Sequence, residues 1–289
     1  MLRKYGVKVN YNCRVNDIIV KNKQVKGISV GESVLNCDSV VLATGGVSYP
    51  TTGSTGDGYK IAKKLGHTIV EPFPSLVPIV TYENVRELMG LTLKNVKVSV
   101  FFGKKLIREE LGEMLFTHFG LSGPVILTLS RFLHDYLGKG EVVIKIDLKP
   151  ELTIEKLEER VLRDFNKYQN RNLKNALEDL LPHSLILYVI KRANIHPDKK
   201  VREITRSERK SLVTNLKNLT FKVKDLRPIR EAIVTGGGVS IKEINPSTME
   251  SKIIKGLFFA GEIIDVDGLT GGFNLQIAFS TGYVAGINA

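Results

Sequence analysis

The carboxy-terminal part of the chain restricts its fold more than any other stretch. An apolar run ends at Glu262 and Asp265, and the pair Gly271 and Gly272 then precedes a second apolar stretch. This order predicts a buried strand, a glycine-rich turn and a helix that starts at about Asn274. Because adjacent glycines let a ligand approach the free N–H groups of a helix start, the pattern suits a dinucleotide, and a flavin in particular. A surface turn capped by glycines is the alternative interpretation.

The predicted helix start has a specific use in flavin chemistry. A reduced flavin develops negative charge at the edge formed by N1 and the C2 carbonyl, and a helix N-terminus offers partial positive charge and unsatisfied donors. Glu262, at the end of the predicted strand, could accept hydrogen bonds from sugar or ribityl hydroxyls. Asp265 and Asp267 follow in the turn. The pattern therefore favours a site that stabilises reduced flavin.

Length and composition narrow the class of protein. The chain has 289 residues, of which 43% are hydrophobic, so it can form one large domain or two to three smaller ones. We expect a cytoplasmic protein without a membrane partner, since no apolar stretch approaches about 20 residues and the start lacks a signal-peptide pattern. Cys13 and Cys37 are not in Cys-x-x-Cys spacing. The sequence therefore predicts neither a dithiol oxidoreductase nor a metal site.

The formal charge of +12 raises the question of an acidic partner. Residues 151–230 contain 19 Lys and Arg against 11 Asp and Glu, a difference of +8. Such a segment could bind nucleic acid, or it could be a solvated helical face. No aromatic-rich sheet motif, zinc finger or recognition-helix pattern accompanies the charge, so a nucleic-acid-binding module is only a secondary alternative. An anionic substrate or a cofactor phosphate explains the charge equally well.

The amino-terminal part predicts a strand-rich start of a nucleotide-binding sheet. Residues 17–20 and 24–30 read as strands joined by a turn at Asn22 and Lys23, and residues 38–46 read as an apolar strand ending in glycines. We expect that strand to be buried on both faces, as in a parallel sheet. The loop at residues 48–58 is rich in hydroxyls and glycines. It could cradle a phosphate or line a flavin cleft, or it could be a flexible loop with a helix N-cap.

The middle of the chain changes character twice. Strand patterns broken by turns run from Pro72 to about Leu148, and helical periodicity follows from Thr153 to Leu219 with breaks at Pro182 and Pro197. Pro124 after Gly123 predicts a helix start. The expected domain limits are residues 1–71 for the first part of the nucleotide-binding domain, 72–148 for an inserted β domain, 149–219 for a helical insertion, 220–235 for a returning strand and 236–289 for the carboxy-terminal part.

At this point the motifs are recognisable as a set. They are Ala43-Thr44-Gly45-Gly46, the loop from Gly53 to Tyr59, Gly66-His67, the stretch from Phe116 to Pro124, Thr235-Gly236-Gly237-Gly238-Val239 and the carboxy-terminal segment from Gly261 to Gln276. Together they resemble the BaiN-like bacterial flavoproteins, which include aminoacetone oxidase. The resemblance runs the length of the chain. It implies an α/β (α+β overall) fold, in which a β-barrel-like domain and a small helical domain are inserted into a Rossmann-like FAD-binding domain.

The resemblance also implies an activity and a set of site residues. It predicts an FAD-dependent oxidoreductase that transfers a hydride or an electron pair to or from a small-molecule substrate, an amine or a ketone for example, with O2 or NAD(P)H as the second substrate. We consider His118 and Tyr49 as proton donors or substrate contacts, with a structural role as the alternative for both. The expected cofactor-binding residues are Ala43, Thr44, Gly45 and Gly46 by the nucleotide, Gly261, Glu262 and Asp265 near the ribityl chain, and Gly271, Gly272, Asn274, Leu275 and Gln276 at the pyrimidine edge.

One expected motif has no counterpart in this sequence. Members of the family begin with a strand, a Gly-x-Gly-x-x-Gly turn and a helix that bind the ADP half of FAD. The chain contains no Gly-x-Gly-x-x-Gly, and Gly236-Gly237-Gly238 does not replace it because Ile241 stands where a third glycine is needed. We therefore expect the carboxy-terminal part of a flavoprotein, with an incomplete Rossmann-like domain. A separate ADP-binding polypeptide would complete it, and a noncatalytic fragment or subunit is the alternative to an autonomous enzyme.

Overall fold

The computed structural model describes residues 2–289 and divides the chain into two compact units. The first unit contains the chain up to Phe73 together with Ile233–Ala289, and the second is Pro74–Ala232. The chain thus leaves the first unit near Phe73 and returns to it near Ile233. The boundaries expected from the sequence were 71/72 and 235/236. In the sequence, the second unit is therefore inserted into the first.

The described residues form thirteen strands and seven α-helices. The strands are β1 (Val15–Lys21), β2 (Gln24–Val30), β3 (Ser33–Asn36), β4 (Val40–Leu42), β5 (Ile69–Ser75), β6 (Ile79–Thr81), β7 (Thr92–Phe102), β8 (Lys105–Phe116), β9 (Gly120–Ser122), β10 (Val142–Asp147), β11 (Leu219–Leu226), β12 (Val234–Val239) and β13 (Leu257–Phe259). The helices are α1 (Asp57–Lys64), α2 (Pro124–Ser130), α3 (Ile154–Lys167), α4 (Leu173–Ala176), α5 (His183–Arg192), α6 (Arg206–Lys217) and α7 (Phe273–Asn288). None of these helices is long and apolar enough to cross a membrane.

The first unit begins with the expected meander. Strands β1, β2 and β3 pair antiparallel in that order. The turn between β1 and β2 has left-handed backbone at Asn22 and Lys23, with φ of 53° and 57°. Two consecutive positive φ values are typical of the tight turns whose twist matches a hairpin. The turn predicted at these two residues is confirmed.

Strands β4 and β13 form a parallel pair in the first unit. Val40 lies opposite Leu257, Val41 opposite Phe258 and Leu42 opposite Phe259. All three residues of β13 are buried, whereas Val41 of β4 remains 40% exposed. The prediction that this strand is buried on both faces is therefore wrong for the face that carries Val41, and among the described strands only β13 pairs with β4.

The second unit is built on a closed six-stranded barrel. Its strands follow one another around the barrel in the order β10, β11, β6, β9, β8 and β7. Phe116 of β8 and Phe221 of β11 are fully buried and meet edge to face, with ring centroids 5.9 Å apart. Alternate residues of each strand supply such side chains to one apolar interior. The predicted β-barrel-like domain is confirmed.

A helical excursion interrupts the barrel between β10 and β11. Thr153 caps α3, and Thr205 caps α6 in a capping box with Glu208, so both helix starts have satisfied N–H groups. Pro182 is the N-cap residue of α5. The helical pattern predicted from Thr153 onward, with a break at Pro182, is confirmed, and with it the mixed α/β fold class.

A buried histidine in the first unit gives stability a pH dependence. Nε2 of His67 lies 2.8 Å from Oγ of Ser251, which also accepts hydrogen bonds from the N–H groups of Ile253 and Ile254. With both amides donating to this oxygen, the serine hydroxyl can donate its own proton to neutral His67. Burial lowers the pKa of His67 below its ordinary value, despite the opposing effects of the Ala62 backbone and Glu243.

We therefore expect acid to destabilise the protein through His67. Its unfolded pKa is the ordinary one, near 6.5, and its folded pKa is lower, so the unfolded state binds the proton more readily. Stability is fully present above about pH 6.5 and is lost as the pH falls toward the folded pKa. Urea unfolding between pH 5 and 8 should show a steeper acid limb for the wild type than for His67→Phe. Equal slopes would contradict this origin of the pH dependence.

Candidate functional site

The loop that follows β4 is held against two distant segments of the first unit. Gly46 is buried, and a Cβ atom built on it would lie 2.2 Å from Oγ1 of Thr235 and 2.7 Å from Oε1 of Glu262. Both distances are shorter than any tolerated contact, so this position accommodates only glycine without rearrangement. The structure thus brings Gly46 together with Thr235 and Glu262, which follow it by 189 and 216 residues in the sequence.

Thr235 is the residue at which these segments join. Its Oγ1 accepts hydrogen bonds from the N–H groups of Val47 and Ser48 at 2.9 and 3.1 Å, and it lies 2.7 Å from Oγ of Ser48. The N–H of Thr235 donates to Oε1 of Glu262 at 2.8 Å, and Ser48 donates weakly to the same oxygen at 3.4 Å. Glu262 therefore stabilises the loop through hydrogen bonds to one of its two carboxylate oxygens, Oε1.

Thr44 packs against the start of α1. A Cβ atom on Gly58 would meet Oγ1 of Thr44 at 2.1 Å and Cδ1 of Ile263 at 2.7 Å. A glycine here permits close contact between a helix start and the end of a strand. Ala43 and Thr44 themselves are exposed. The residues expected beside the nucleotide therefore lie at an accessible strand end whose backbone is positioned by Gly46 and Gly58.

The three consecutive glycines of β12 serve packing within the first unit. The Cβ position of Gly236 is filled by the Phe73 ring, that of Gly237 by the backbone oxygen of Glu71, and that of Gly238 by the backbone oxygen of Ile263. All three glycines are buried. They leave no room for a pyrophosphate, in agreement with the prediction that this run does not replace a Gly-x-Gly-x-x-Gly turn.

The turn after β13 contains Gly261 and Asp265. Gly261 has a φ of 75°, and its N–H donates to Oγ1 of Thr281 in α7 at 2.9 Å, which ties the turn to the helix. The N–H of Asp265 donates to the backbone oxygen of Val239 at 3.0 Å. Burial raises the pKa of the Asp265 carboxyl, and the charge of Asp267 adds to the rise. The carboxyl of Asp265 therefore keeps its proton to a higher pH than an ordinary aspartate does.

The amino end of α7 is an open set of backbone donors. Gly271 and Gly272 have left-handed φ values of 111° and 89°, and no side chain caps the helix. A Cβ on Gly272 would meet no atom within 4 Å, so space lies in front of the helix start. The first-turn N–H groups at Phe273, Asn274 and Leu275 precede the first backbone bond of the helix, from Gln276 to Gly272. Free donors of this kind suit the carbonyl edge of a flavin, and the placement of these residues at the pyrimidine edge stays a prediction.

The side chains of Asn274, Leu275 and Gln276, at the start of α7, make different contacts. Oδ1 of Asn274 accepts from the N–H of Gly268 at 2.8 Å, and its Nδ2 donates to the backbone oxygen of the same residue at 2.9 Å. The side chain of Asn274 therefore stabilises the turn at Gly268. The backbone N–H of Asn274 is the group of this residue that is directed along the helix start. Leu275 is exposed, and Nε2 of Gln276 donates to Ser280 at 2.9 Å. Contacts of these residues with a flavin remain a prediction.

The two candidate proton donors lie in different units. Tyr49, in the first unit, is half exposed and has a left-handed φ of 47°, an unusual conformation for a bulky residue. His118, in the second unit, lies in the exposed turn between β8 and β9, with its ring 4.9 Å from that of Phe119. Arg227 covers Phe119 at 4.6 Å. Strain at Tyr49 and exposure at His118 are both compatible with the predicted roles, which stay predictions.

Sequence reasoning did not select Thr235 or Ser48 as site residues. Thr235 was noted only as the start of the Thr-Gly-Gly-Gly-Val motif, and a pairing across 187 residues leaves no trace in sequence spacing. A hydroxyl directly before a glycine run was the one available indication. Among residues 2–289, no group of three or more His, Cys, Asp or Glu side chains could hold a metal ion.

The contribution of Glu262 to the stability of this loop can be tested by substitution. In Glu262→Ala the buried N–H of Thr235 loses its acceptor, which should lower the free energy of unfolding by about 1–3 kcal/mol, whereas Glu262→Gln keeps a carbonyl oxygen and should cost less. Glu243 is a matched control, because its carboxylate accepts from the N–H and hydroxyl of Thr68 at an exposed position. Urea unfolding of the three variants should rank Glu262→Ala as the least stable. A larger effect of Glu243→Ala would contradict the assignment.

Comparison with known proteins identifies relatives over nearly the whole chain. The family described as HI0933-like protein Rossmann domain matches residues 1–288. A 3-dehydro-bile acid delta(4,6)-reductase of Clostridium scindens is 29% identical over 99% of this chain and 70% of its own length. The ribosomal RNA dihydrouridine synthase of Haemophilus influenzae is 32% identical over 99% of this chain and 69% of its own length, and that of Escherichia coli is 33% identical over 90% and 61%.

A solved structure of GidA from Aquifex aeolicus covers 96% of this chain and 43% of its own chain, at 15% identity and a TM-score of 0.32. That similarity is too low to define the fold. The family match and the sequence relatives, in contrast, cover nearly the whole chain. The chain belongs to the HI0933-like family of FAD-dependent oxidoreductases.

Proposed function

We propose that this protein is an FAD-dependent reductase that saturates a carbon–carbon double bond conjugated to a carbonyl group. The observation that carries the flavin assignment is the open start of α7 behind Gly271 and Gly272. Two kinds of relative support the reaction class. One is named for a delta(4,6)-reductase and the others for dihydrouridine synthesis. Both names denote addition of two hydrogens to a double bond, and in uridine, which such an addition converts to dihydrouridine, that bond is conjugated to a carbonyl.

Bound FAD, once reduced by NADH or NADPH, would supply the hydride in such a reaction. The residues of this chain have three tasks around it. The N–H groups at the start of α7 would hold the carbonyl edge of the flavin and would stabilise negative charge there. Thr235, Glu262 and Gly46 hold the loop after β4 in place for the nucleotide portion. Gly261 and Asp265 lie in the turn expected to meet the ribityl chain.

Reduction of a conjugated double bond also needs a proton at the carbon next to the carbonyl. Tyr49 and His118 are the proposed donors, because a phenol and an imidazole can each deliver a proton to a bound substrate. Tyr49→Phe and His118→Gln remove the proton while keeping most of the side-chain volume. The donor is the residue whose substitution lowers the rate of product formation and leaves FAD affinity unchanged. A variant that loses both has a structural role instead.

A second candidate function is the same reaction with a uridine in RNA as the substrate. Lys200, Arg202, Arg206 and Lys210 are exposed within eleven residues of the second unit, at the start of α6. At least eight other cations of residues 151–230 pair with carboxylates, and these four have no ion pair among the contacts of the described residues. Exposed cations of this kind neutralise phosphates. A small conjugated ketone is the competing substrate, and it needs no such cluster.

The proposed function can be tested by product mass. The chain, supplied with FAD and with NADH or NADPH as reductant, is offered a uridine-containing ribosomal RNA transcript and, separately, a steroid-type conjugated ketone. The proposal predicts a gain of two hydrogens in one of these substrates under anaerobic conditions. Reversing the charges at Arg202 and Arg206 should slow turnover of RNA only. Oxidation of an amine by O2, with neither test substrate reduced, would contradict the proposal and favour an oxidase.

A further inference from the structure

A small cavity lies within the second unit, between the start of β7, the end of β10 and the start of α5. Its volume is about 220 Å³, and a cavity of about 150 Å³ is already large enough to admit benzene. Most of its wall is apolar and consists of the buried side chains Leu93, Val96, Leu148, Leu181 and Leu185, with Pro182 beside them. The polar lining residues are Thr92, Lys94, Asn95 and Lys149. The cavity therefore suits a small molecule with an apolar part.

The backbone of Lys149 is held in place at the wall of this cavity. Its N–H donates to Oδ1 of Asp147 at 2.9 Å. Its backbone oxygen accepts from Nζ of Lys217 at 3.1 Å and from the N–H of Leu152 at 3.1 Å. The side chain of Lys149 therefore starts from a fixed point, and the residue is only partly exposed.

The ammonium group of Lys149 has no ion-pair or hydrogen-bond partner among the described residues. The carboxylates closest to it in sequence bind other groups. Asp147 lies 2.6 Å from Nζ of Lys217, and Glu151 accepts from Nδ2 of Asn95 at 2.9 Å. Lysines that are withdrawn from water are normally paired. An unpaired amine at the wall of an apolar cavity is therefore a candidate for a chemical role.

Positive charges adjoin this amine. Lys94 lines the same cavity, and Arg160 of α3 is close enough to Lys149 to disfavour its charged form. Arg160 itself is held by Asp164, with Nε 2.9 Å from Oδ2. Burial lowers the pKa of the Lys149 ammonium, and the charge of Arg160 lowers it further. A larger fraction of Lys149 than of an ordinary lysine is therefore unprotonated near neutral pH, and the unprotonated amine is the nucleophilic form.

We propose that Lys149 is a modification site that reacts with small acyl phosphates. The lone pair of Nζ attacks the carbonyl carbon, an N–C bond forms, and the C–O bond to the phosphate breaks. The phosphate leaves with the electron pair of that bond, and water transfers one proton from the amine to it. The products are an N-acyl lysine and inorganic phosphate, so the step needs no oxidant or reductant.

The surroundings of Lys149 favour this class of reagent. The apolar wall suits a short acyl chain, and the charges of Lys94 and Arg160 suit the phosphate dianion. A neutral ester would gain nothing from the two cations. All of these residues lie within the second unit, so the inference goes beyond the proposed flavin chemistry and does not rest on it.

The test measures which lysines react when the full chain is incubated with acetyl phosphate near neutral pH. Isotope-coded acetylation of the remaining amines after denaturation, followed by peptide mass spectrometry, gives the occupancy of each lysine. Lys104 and Lys210 are internal references, because both are exposed and neither has an ion pair among the described residues. We expect the acetylated fraction of Lys149 to exceed theirs about fivefold, and we expect this excess to disappear when the chain is first unfolded in guanidinium chloride.

Two variants separate docking of the phosphate from the reactivity of the amine. Lys94→Gln removes a cation of the cavity and should lower acetylation of Lys149 by acetyl phosphate about threefold, with a much smaller effect for the neutral reagent N-hydroxysuccinimide acetate. Lys97→Gln is the matched control, because Lys97 lies in the same strand and does not line the cavity. It should leave the reaction of Lys149 with both reagents unchanged.

Three outcomes would overturn the proposal. They are an acetylated fraction of Lys149 no higher than that of Lys104 and Lys210, an excess that persists in the unfolded chain, and equal effects of Lys94→Gln and Lys97→Gln. The first two would mean that the folded cavity does not activate the amine, and the third would mean that the cavity does not bind the phosphate. Circular dichroism and urea midpoints establish that both variants remain folded.

Discussion

Leu275→Glu is expected to weaken FAD binding about tenfold while leaving the fold at least as stable. Leu275 is the third residue of α7 and is exposed. A carboxylate there accepts hydrogen bonds from the first-turn N–H groups and adds about 0.3–1 kcal/mol to helix stability. The same charge competes with the flavin carbonyl for those donors and repels the negative charge of the reduced form. The midpoint potential of any bound flavin should fall by about 30 mV, the equivalent of 1.4 kcal/mol for two electrons.

Leu275→Gln is the matched control for this prediction, because it has the same shape as the glutamate variant and no charge. Fluorescence titration with FAD gives the affinity, and urea unfolding gives the stability. The glutamate variant should be the weaker binder and the glutamine variant close to wild type. Equal affinities for all three proteins would place the flavin away from α7. A parallel loss of stability in Leu275→Glu would mean that its effect is structural.

Gly46→Ala is expected to lower the free energy of unfolding by about 2–3 kcal/mol. The new methyl group would overlap Oγ1 of Thr235 and Oε1 of Glu262, so the loop after β4 would have to move and break the bonds that hold Val47 and Ser48. FAD affinity should fall with stability, because the same loop is expected to position the nucleotide portion. The measurement is urea unfolding together with FAD titration.

For Gly282→Ala, in the same unit, we expect no loss in the free energy of unfolding. Gly282 lies inside α7, and a Cβ there meets no atom within 4 Å. Alanine is a better helix former than glycine by up to about 1 kcal/mol, so this variant should be at least as stable as wild type. If both substitutions had the same small effect, the close contact at Gly46 would not be a determinant of the site.

Local patterns in the sequence predicted local structure well. The helix start after Gly271 and Gly272, the turn at Asn22 and Lys23, and the helix start at Pro124 are confirmed. In each case the backbone conformation depends on one or two residues whose preferences are strong, so no distant contact is needed to predict it. A β domain was also expected from the strand pattern, and its barrel-like form from the family resemblance. Strand β8 was not, because its charged residues from Lys105 to Glu110 hide the alternation of a strand that faces solvent on one side.

Contacts between residues that are far apart in the sequence could not be predicted from it. The contact of Thr235 with Ser48 spans 187 residues, and neither residue type identifies the other as its partner. The exposure of β4 was missed for a related reason. An apolar strand indicates that its faces are suited to burial, but the neighbours that bury them are set by topology, and Val41 has a neighbour on one side only among the described strands.

The most direct test of the account is the visible absorption spectrum of the chain during titration with FAD, followed by dialysis. The account predicts a saturable change in the flavin bands at about 370 and 450 nm, because the start of α7 changes the environment of the carbonyl edge. Spectra identical to free FAD at every concentration would contradict the central claim that this chain holds the flavin.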